Sequence, residues 1–78
     1  MSFPELSPQT YEITIKGHLP QDWEDWFDGM KIQTHPQRNE TILKGSVVDQ
    51  AELFGLLIKI RDLGLILIEV RNLNKISK

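Results

Sequence analysis

The sequence predicts a single α+β domain of the ferredoxin-like type, with the element order β-α-β-β-α-β. Stretches of alternating apolar and polar residues predict half-buried strands, and two stretches carry apolar residues at helical spacing. A chain of 78 residues has room for one small domain. We therefore expect a four-stranded antiparallel sheet with one short and one long helix on the same face.

The first part of the chain is predicted to be an extended arm followed by a strand. Pro4 and Pro8 interrupt any regular pattern, so residues 1–10 are expected to form the arm. Residues 11–18 alternate strictly between apolar and polar side chains, which predicts the first strand. The domain itself is expected to span residues 11–71.

A short helix is predicted next. Pro20 suits a first helical position, and Gly29 suits the left-handed residue that ends a helix. Trp23, Trp26 and Phe27 are spaced to share one helical face, which we expect to be buried. The other face is acidic and is either a solvated surface or a docking patch for a basic partner; its residues are Asp22, Glu24, Asp25 and Asp28.

Two strands and the long helix follow. Residues 30–34 and 41–48 alternate around a polar connection, which predicts an antiparallel pair. Asp49 and Glu52 form a capping-box pattern, and Gly64 follows the last apolar turn. The helix between them has the following apolar stripe: Leu53, Leu56, Leu57 and Ile60.

The chain is expected to end with a strand and a polar tail. Residues 65–70 are almost continuously apolar, which predicts the fourth strand, and residues 72–78 are expected to be a tail. Alternation then assigns one residue set to the side of the sheet that the helices cover. The expected members of this set are Ile13, Ile15, Ile32, Leu43, Val47, Ile66 and Ile68.

The uncovered side of the sheet, here called the open face, carries the candidate ligand residues. Three lysines and a histidine are expected there, and they offer a site for an anion or a small molecule: Lys16, His18, Lys31 and Lys44. Nucleic acid is a poor fit, because the chain has a net charge of −2 and the third strand has no aromatic residue.

Self-association is the other use that we expect for this sheet. A small domain without disulfides has a limited core, and an apolar edge strand is a natural site for pairing with a second chain. We expect a homodimer whose interface includes Ile42, Val48, Leu67 and Glu69.

Catalytic and metal chemistry find little support in the sequence. The chain has no cysteine, which excludes disulfides, thiolate zinc sites and a cysteine nucleophile. Its two histidines lack the spacing of metal ligands on one element, so we expect no metal, no cofactor and no enzymatic activity. The beginning of the sequence lacks the pattern of a signal peptide, and no apolar run is long enough to span a membrane, so a cytoplasmic location is expected.

Several short motifs together resemble a known group. They are Gly17-His18-Leu19, Trp26-Phe27, Val47-Val48-Asp49-Gln50-Ala51 and Arg61-Asp62-Leu63-Gly64-Leu65. The chain resembles a group of short bacterial proteins of unknown function over about residues 11–70. This resemblance implies no activity, so the expected role is that of a protein–protein interaction or regulatory module with an unidentified protein partner.

Overall fold

The fold is a four-stranded antiparallel sheet with one α-helix, seen in a computed structural model that describes residues 8–74. The strands are β1 (Gln9–Lys16), β2 (Lys31–His35), β3 (Glu40–Val47) and β4 (Leu67–Asn72). They lie in the order β2-β3-β1-β4, so β1 and β3 are central and β2 and β4 are the edges. The α+β class and the antiparallel sheet are confirmed. Residues 1–7 of the expected arm and 75–78 of the expected tail lie outside the described residues.

The long helix α1 (Gln50–Asp62) begins and ends as the sequence predicts. The Asp49 carboxylate accepts the Glu52 N–H at 2.9 Å, and the Glu52 carboxylate accepts the Val48 N–H at 2.8 Å. The first contact satisfies a backbone donor that the first turn of a helix leaves without an intrahelical partner, and the second binds the N–H of the residue before the cap. Gly64 follows the helix with φ of +75°, a conformation that glycine adopts without strain.

The expected short α-helix is wrong. In its place is a 3₁₀ helix (Gln21–Glu24) followed by turns, and we call residues 20–30 the cover segment. Phe27 is fully buried, but Trp26 is 53% exposed and Trp23 is half-buried, so the three aromatic residues do not form one buried stripe. The tight geometry of a 3₁₀ turn does not align residues at the 3.6-residue period that the prediction assumed.

The core lies between the sheet and the layer formed by α1 and the cover segment. Its buried hydrophobic residues are Ile13, Ile15, Leu19, Phe27, Met30, Ile32, Leu43, Val47, Leu53, Leu56 and Ile60. The burial expected for the apolar residues of the first three strands is therefore confirmed.

The predicted position of the fourth strand is wrong, and so is the prediction of which of its side chains face the core. The strand begins at Leu67, and its pairing with β1 shifts between Thr14 and Ile15. Because of this shift, Leu67 pairs with the buried Ile15 on the covered side, and the expected core residues Ile66 and Ile68 are 62% and 45% exposed. A bulge adds one residue to a strand and so changes which side chains face the core.

A buried threonine fixes the corner between β1 and the cover segment. The Thr41 hydroxyl donates to the Gly17 carbonyl at 2.6 Å and accepts the Leu19 N–H at 3.2 Å. Thr41 itself is fully buried. This corner carries the chain from the centre of the sheet toward its β2 edge.

Candidate functional site

The open face brings two of the four candidate ligand residues together. Lys31 of β2 lies directly opposite Lys44 of β3, and Lys44 lies opposite Glu12 of β1. Both lysines are exposed. Side chains directly opposite in an antiparallel pair have Cβ atoms about 5 Å apart, so two ammonium groups share one short stretch of surface.

The other two candidate ligand residues lie apart from this pair. Lys16 is opposite Glu40, four residues along the strands from the row that holds Lys44, a separation of about 13 Å. His18 follows the end of β1 and is exposed. The structure therefore divides the predicted cluster into a lysine pair and two separate residues.

Metal ligands do not converge in the part of the chain that the structure describes. Residues 8–74 contain no group of three His, Cys, Asp or Glu side chains that could hold an ion. His35 lies opposite Glu40 on the open face, and its buried Nδ1 has no hydrogen-bond partner.

Residues 8–74 contain no helix with the length and apolar character needed to cross a membrane.

The four residues predicted for an interface are not on one surface. Ile42 lies on the open face between Gln33 and Thr14 and is half-buried, while Val48 lies beyond the end of β3 and is exposed. Leu67 is on the covered side, as described above, so its expected place on the open face is wrong. Glu69 lies opposite Thr14 on the open face, at the β4 edge.

The β4 edge presents backbone groups to solvent. The Leu73 N–H donates to the Thr10 carbonyl at 2.8 Å, so Leu73 and the alternate residues Arg71 and Glu69 direct their backbone groups toward β1. Val70 and Asn72 therefore direct theirs outward, where residues 8–74 supply no neighbouring strand.

Apolar and charged side chains accompany these outward backbone groups. Ile66, Leu67 and Ile68 are between 45% and 62% exposed at the beginning of β4. Farther along the strand, Glu69 and Arg71 lie on the open face, with the Arg71 Nε 3.9 Å from Glu69 Oε2 and the Arg71 Nη1 3.4 Å from Glu12 Oε1.

The β2 edge is capped at Ile32 from within the chain, while the exposed Thr34 also directs its backbone groups outward. Glu24, in the cover segment, accepts the outward N–H of Ile32 through its Oε2 at 3.2 Å. The cover segment also packs against β2, anchored by the buried Phe27 and Met30. A side-chain carboxylate thus takes the place of a neighbouring strand at this position.

A surface pocket lies between the cover segment and the end of α1. It has a volume of about 480 Å³ and is lined by Asp22, Trp23, Trp26 and Leu63. Lys59 of α1 lies beside it, with its ammonium 5.6 Å from the centre of the Trp26 ring and 2.8 Å from the Trp26 carbonyl oxygen. Lys59 therefore contacts the exposed indole through a cation–π interaction and bonds the backbone of the same residue.

The sequence predicts an apolar edge strand as a pairing site, but it does not predict the outward backbone direction of Val70 and Asn72 or the Glu24–Ile32 contact. Alternation predicts which side a residue faces, but the direction of backbone groups depends on the register with β1.

The comparisons with known proteins add a family and no activity. Residues 10–71 match a family described as Domain of unknown function (DUF8691), and no curated protein and no solved structure matches the chain.

Proposed function

We propose that this chain, which belongs to the family of domains of unknown function matched over residues 10–71, is a non-catalytic interaction module that acts as a homodimer joined through β4. One observation carries the proposal. The two edges of the same sheet differ, because Glu24 and the cover segment cap the β2 edge at Ile32, while β4 keeps the outward backbone groups of Val70 and Asn72 beside exposed isoleucine and leucine side chains.

An open strand edge in water favours pairing with a second strand. An edge strand offers a row of donors and acceptors that a second strand can satisfy, and soluble proteins commonly block such rows. Apolar side chains along the same edge gain stabilisation when association removes them from water. A second β4 strand supplies both kinds of contact at once.

We also propose that the fold is of the ferredoxin-like type. The central positions of β1 and β3, each antiparallel to its neighbours, support a ferredoxin-like arrangement in which the cover segment replaces the first helix. We place the module in the cytoplasm of a bacterial cell, where its dimer would present paired surfaces to a further protein partner.

The experiment removes one outward N–H from each edge in turn. Val70→Pro deletes a donor that β1 does not use, whereas Thr34→Pro does the same on β2, since Thr34 has the same outward direction as Ile32. Native mass is measured by light scattering behind a sizing column over a concentration series. The wild-type chain and Thr34→Pro are expected to be dimers, and Val70→Pro is expected to be a monomer.

A second variant covers the case in which proline disturbs folding. Ile68→Lys adds a charge to an exposed position of β4, and Ile58→Lys makes the same change at an exposed position of α1. Circular dichroism establishes that each variant is folded. Dissociation by Ile68→Lys alone supports the proposal, while a monomeric wild-type chain, or a dimer that both β4 variants leave intact, overturns it.

A second candidate function is anion binding on the open face. The observation that favours it is the direct pairing of Lys31 with Lys44, because ammonium groups on directly opposite residues repel each other and a negative ion between them relieves this repulsion. Inorganic phosphate, followed by NMR shifts of the backbone amides, is the probe. The shifts are expected to centre on the lysine pair, to disappear in Lys31→Gln and to persist in Lys16→Gln; shifts spread over all lysines would contradict this candidate.

A further inference from the structure

The hydrogen-bond direction of β4 limits how two copies can pair. Val70 and Asn72 direct their backbone groups outward, while Glu69 and Arg71 direct theirs to β1. In a symmetric antiparallel pair of β4 strands, a residue whose backbone groups point outward must lie opposite another residue whose backbone groups point outward. Residues of the two kinds alternate along the strand, so the two-fold axis must pass beside a residue and not between two residues.

Charge then distinguishes among the registers whose axis lies at residue 69, 70 or 71, in the middle and later part of β4. An axis at Glu69 places Glu69 opposite Glu69 of the second copy, and an axis at Arg71 places two arginines opposite each other. An axis at Val70 instead places Glu69 opposite Arg71 in both halves of the pair. Like charges directly opposite destabilise a ladder and unlike charges stabilise it, so the Val70 register is favoured.

We infer that the partner of the β4 edge is a second copy of this chain, paired antiparallel about Val70 with two reciprocal Glu69–Arg71 contacts between copies. The inference rests on the proposed homodimer and specifies its geometry. Val70 pairs with Val70 on the covered side, and Ile68 lies opposite Asn72 of the other copy. The contact between Glu69 and Arg71 within one copy is long, at 3.9 Å between Nε and Oε2, so both side chains have capacity for a partner across the axis.

This register builds one continuous sheet with both open faces on the same side. A two-fold axis between antiparallel strands of one sheet is perpendicular to that sheet, so the lysine pairs of the two copies lie on one surface and the two α1 helices on the other. The charged row Lys31-Lys44-Glu12-Arg71 of one copy continues into Glu69 of the other.

The first arm of the test uses charge exchange. Glu69→Arg and Arg71→Glu each create two like-charge pairs across the axis, and each variant alone is expected to dimerise about tenfold more weakly or worse. An equimolar mixture restores two unlike pairs, so native mass spectrometry is expected to show mainly the mixed dimer. Arg38→Glu, at an exposed position of the turn between β2 and β3, is the control and is expected to leave self-association unchanged.

The second arm uses cysteine cross-linking, which is selective because the natural chain contains no cysteine. Glu69→Cys and Arg71→Cys are mixed under oxidising conditions. In the Val70 register the two positions are directly opposite, within the Cα separation that a disulfide spans. The mixture is expected to cross-link, while each variant alone is expected to remain unlinked.

The outcomes separate this inference from the proposal beneath it. A monomeric wild-type chain overturns the homodimer and the register together. A dimer that Val70→Pro dissociates, but in which Glu69→Cys cross-links to itself or the charge variants fail to pair preferentially, overturns the register and leaves the homodimer standing. Since Arg71→Glu also removes the Glu12 contact, circular dichroism on that variant precedes the mixing experiment, and the cross-linking arm decides the register if the variant is unfolded.

Discussion

Both edges of the sheet have backbone groups that point away from it, and the chain covers them at one edge more than at the other. At β2, the chain turns back immediately after the corner fixed by Thr41 and places Glu24 on the backbone of Ile32. At β4, the chain passes from α1 through Gly64 directly into the strand, so no segment is left to cover its outer side in the described part of the chain. The connection between β1 and β2 is long enough to cover the β2 edge, whereas the connection between α1 and β4 is too short to cover the β4 edge.

The cover segment shows how few residues such protection needs. Its 3₁₀ helix has only four residues, too short for a stable independent helix. Its position therefore depends on the tertiary contacts of Phe27 and Met30, which are almost completely buried, and on polar contacts such as that of Glu24. Residues of one short segment consequently have very different importance for stability.

The largest expected effect comes from removing the anchor of the cover segment. Phe27→Ala leaves a cavity where a fully buried aromatic ring stood, and the free energy of unfolding is expected to fall by about 3–5 kcal/mol. Urea unfolding followed by circular dichroism measures this loss and avoids relying on tryptophan fluorescence.

Trp26→Ala is the matched control one residue away. Its side chain is 53% exposed and contacts Lys59, so the expected loss is below about 1 kcal/mol. Equal losses in the two variants would contradict the view that Phe27 anchors the segment while Trp26 lies on its surface.

Regular elements with a clear period were predictable from the sequence. The alternation in β1 and β3 has only one arrangement that buries Ile13, Ile15, Leu43 and Val47 together, and the structure has it. Likewise, Asp49 and Gly64 mark the ends of α1 because capping depends on local backbone geometry that each residue type favours.

The parts that were not predictable depend on contacts distant in sequence. The bulge opposite Ile15 follows from fitting β4 to β1, and an almost continuous apolar run such as residues 65–68 does not specify which side chains face the core. The candidate site shares this limitation, because the outward direction of Val70 and the Glu24–Ile32 contact depend on register. Alternation alone predicts that Lys31 and Lys44 share the open face, and the register of β2 with β3 then places them directly opposite each other.

A smaller effect is expected when the side-chain contact at the β2 edge is removed. Glu24→Ala deletes the acceptor for the Ile32 N–H, and the free energy of unfolding is expected to fall by about 1 kcal/mol. Asp25→Ala, which removes an exposed carboxylate from the same segment, is the control and is expected to change stability by less than about 0.5 kcal/mol.

This variant also tests whether Glu24 protects the edge or only stabilises the fold. If the carboxylate protects the edge, Glu24→Ala in the Val70→Pro background gives a chain that associates at β2, seen as a concentration-dependent rise in mass that Asp25→Ala does not produce. If mass stays that of a monomer while stability falls, the bulk of the cover segment is what blocks β2. The difference between the two edges would then lie in the covering backbone, with Glu24 contributing to stability alone.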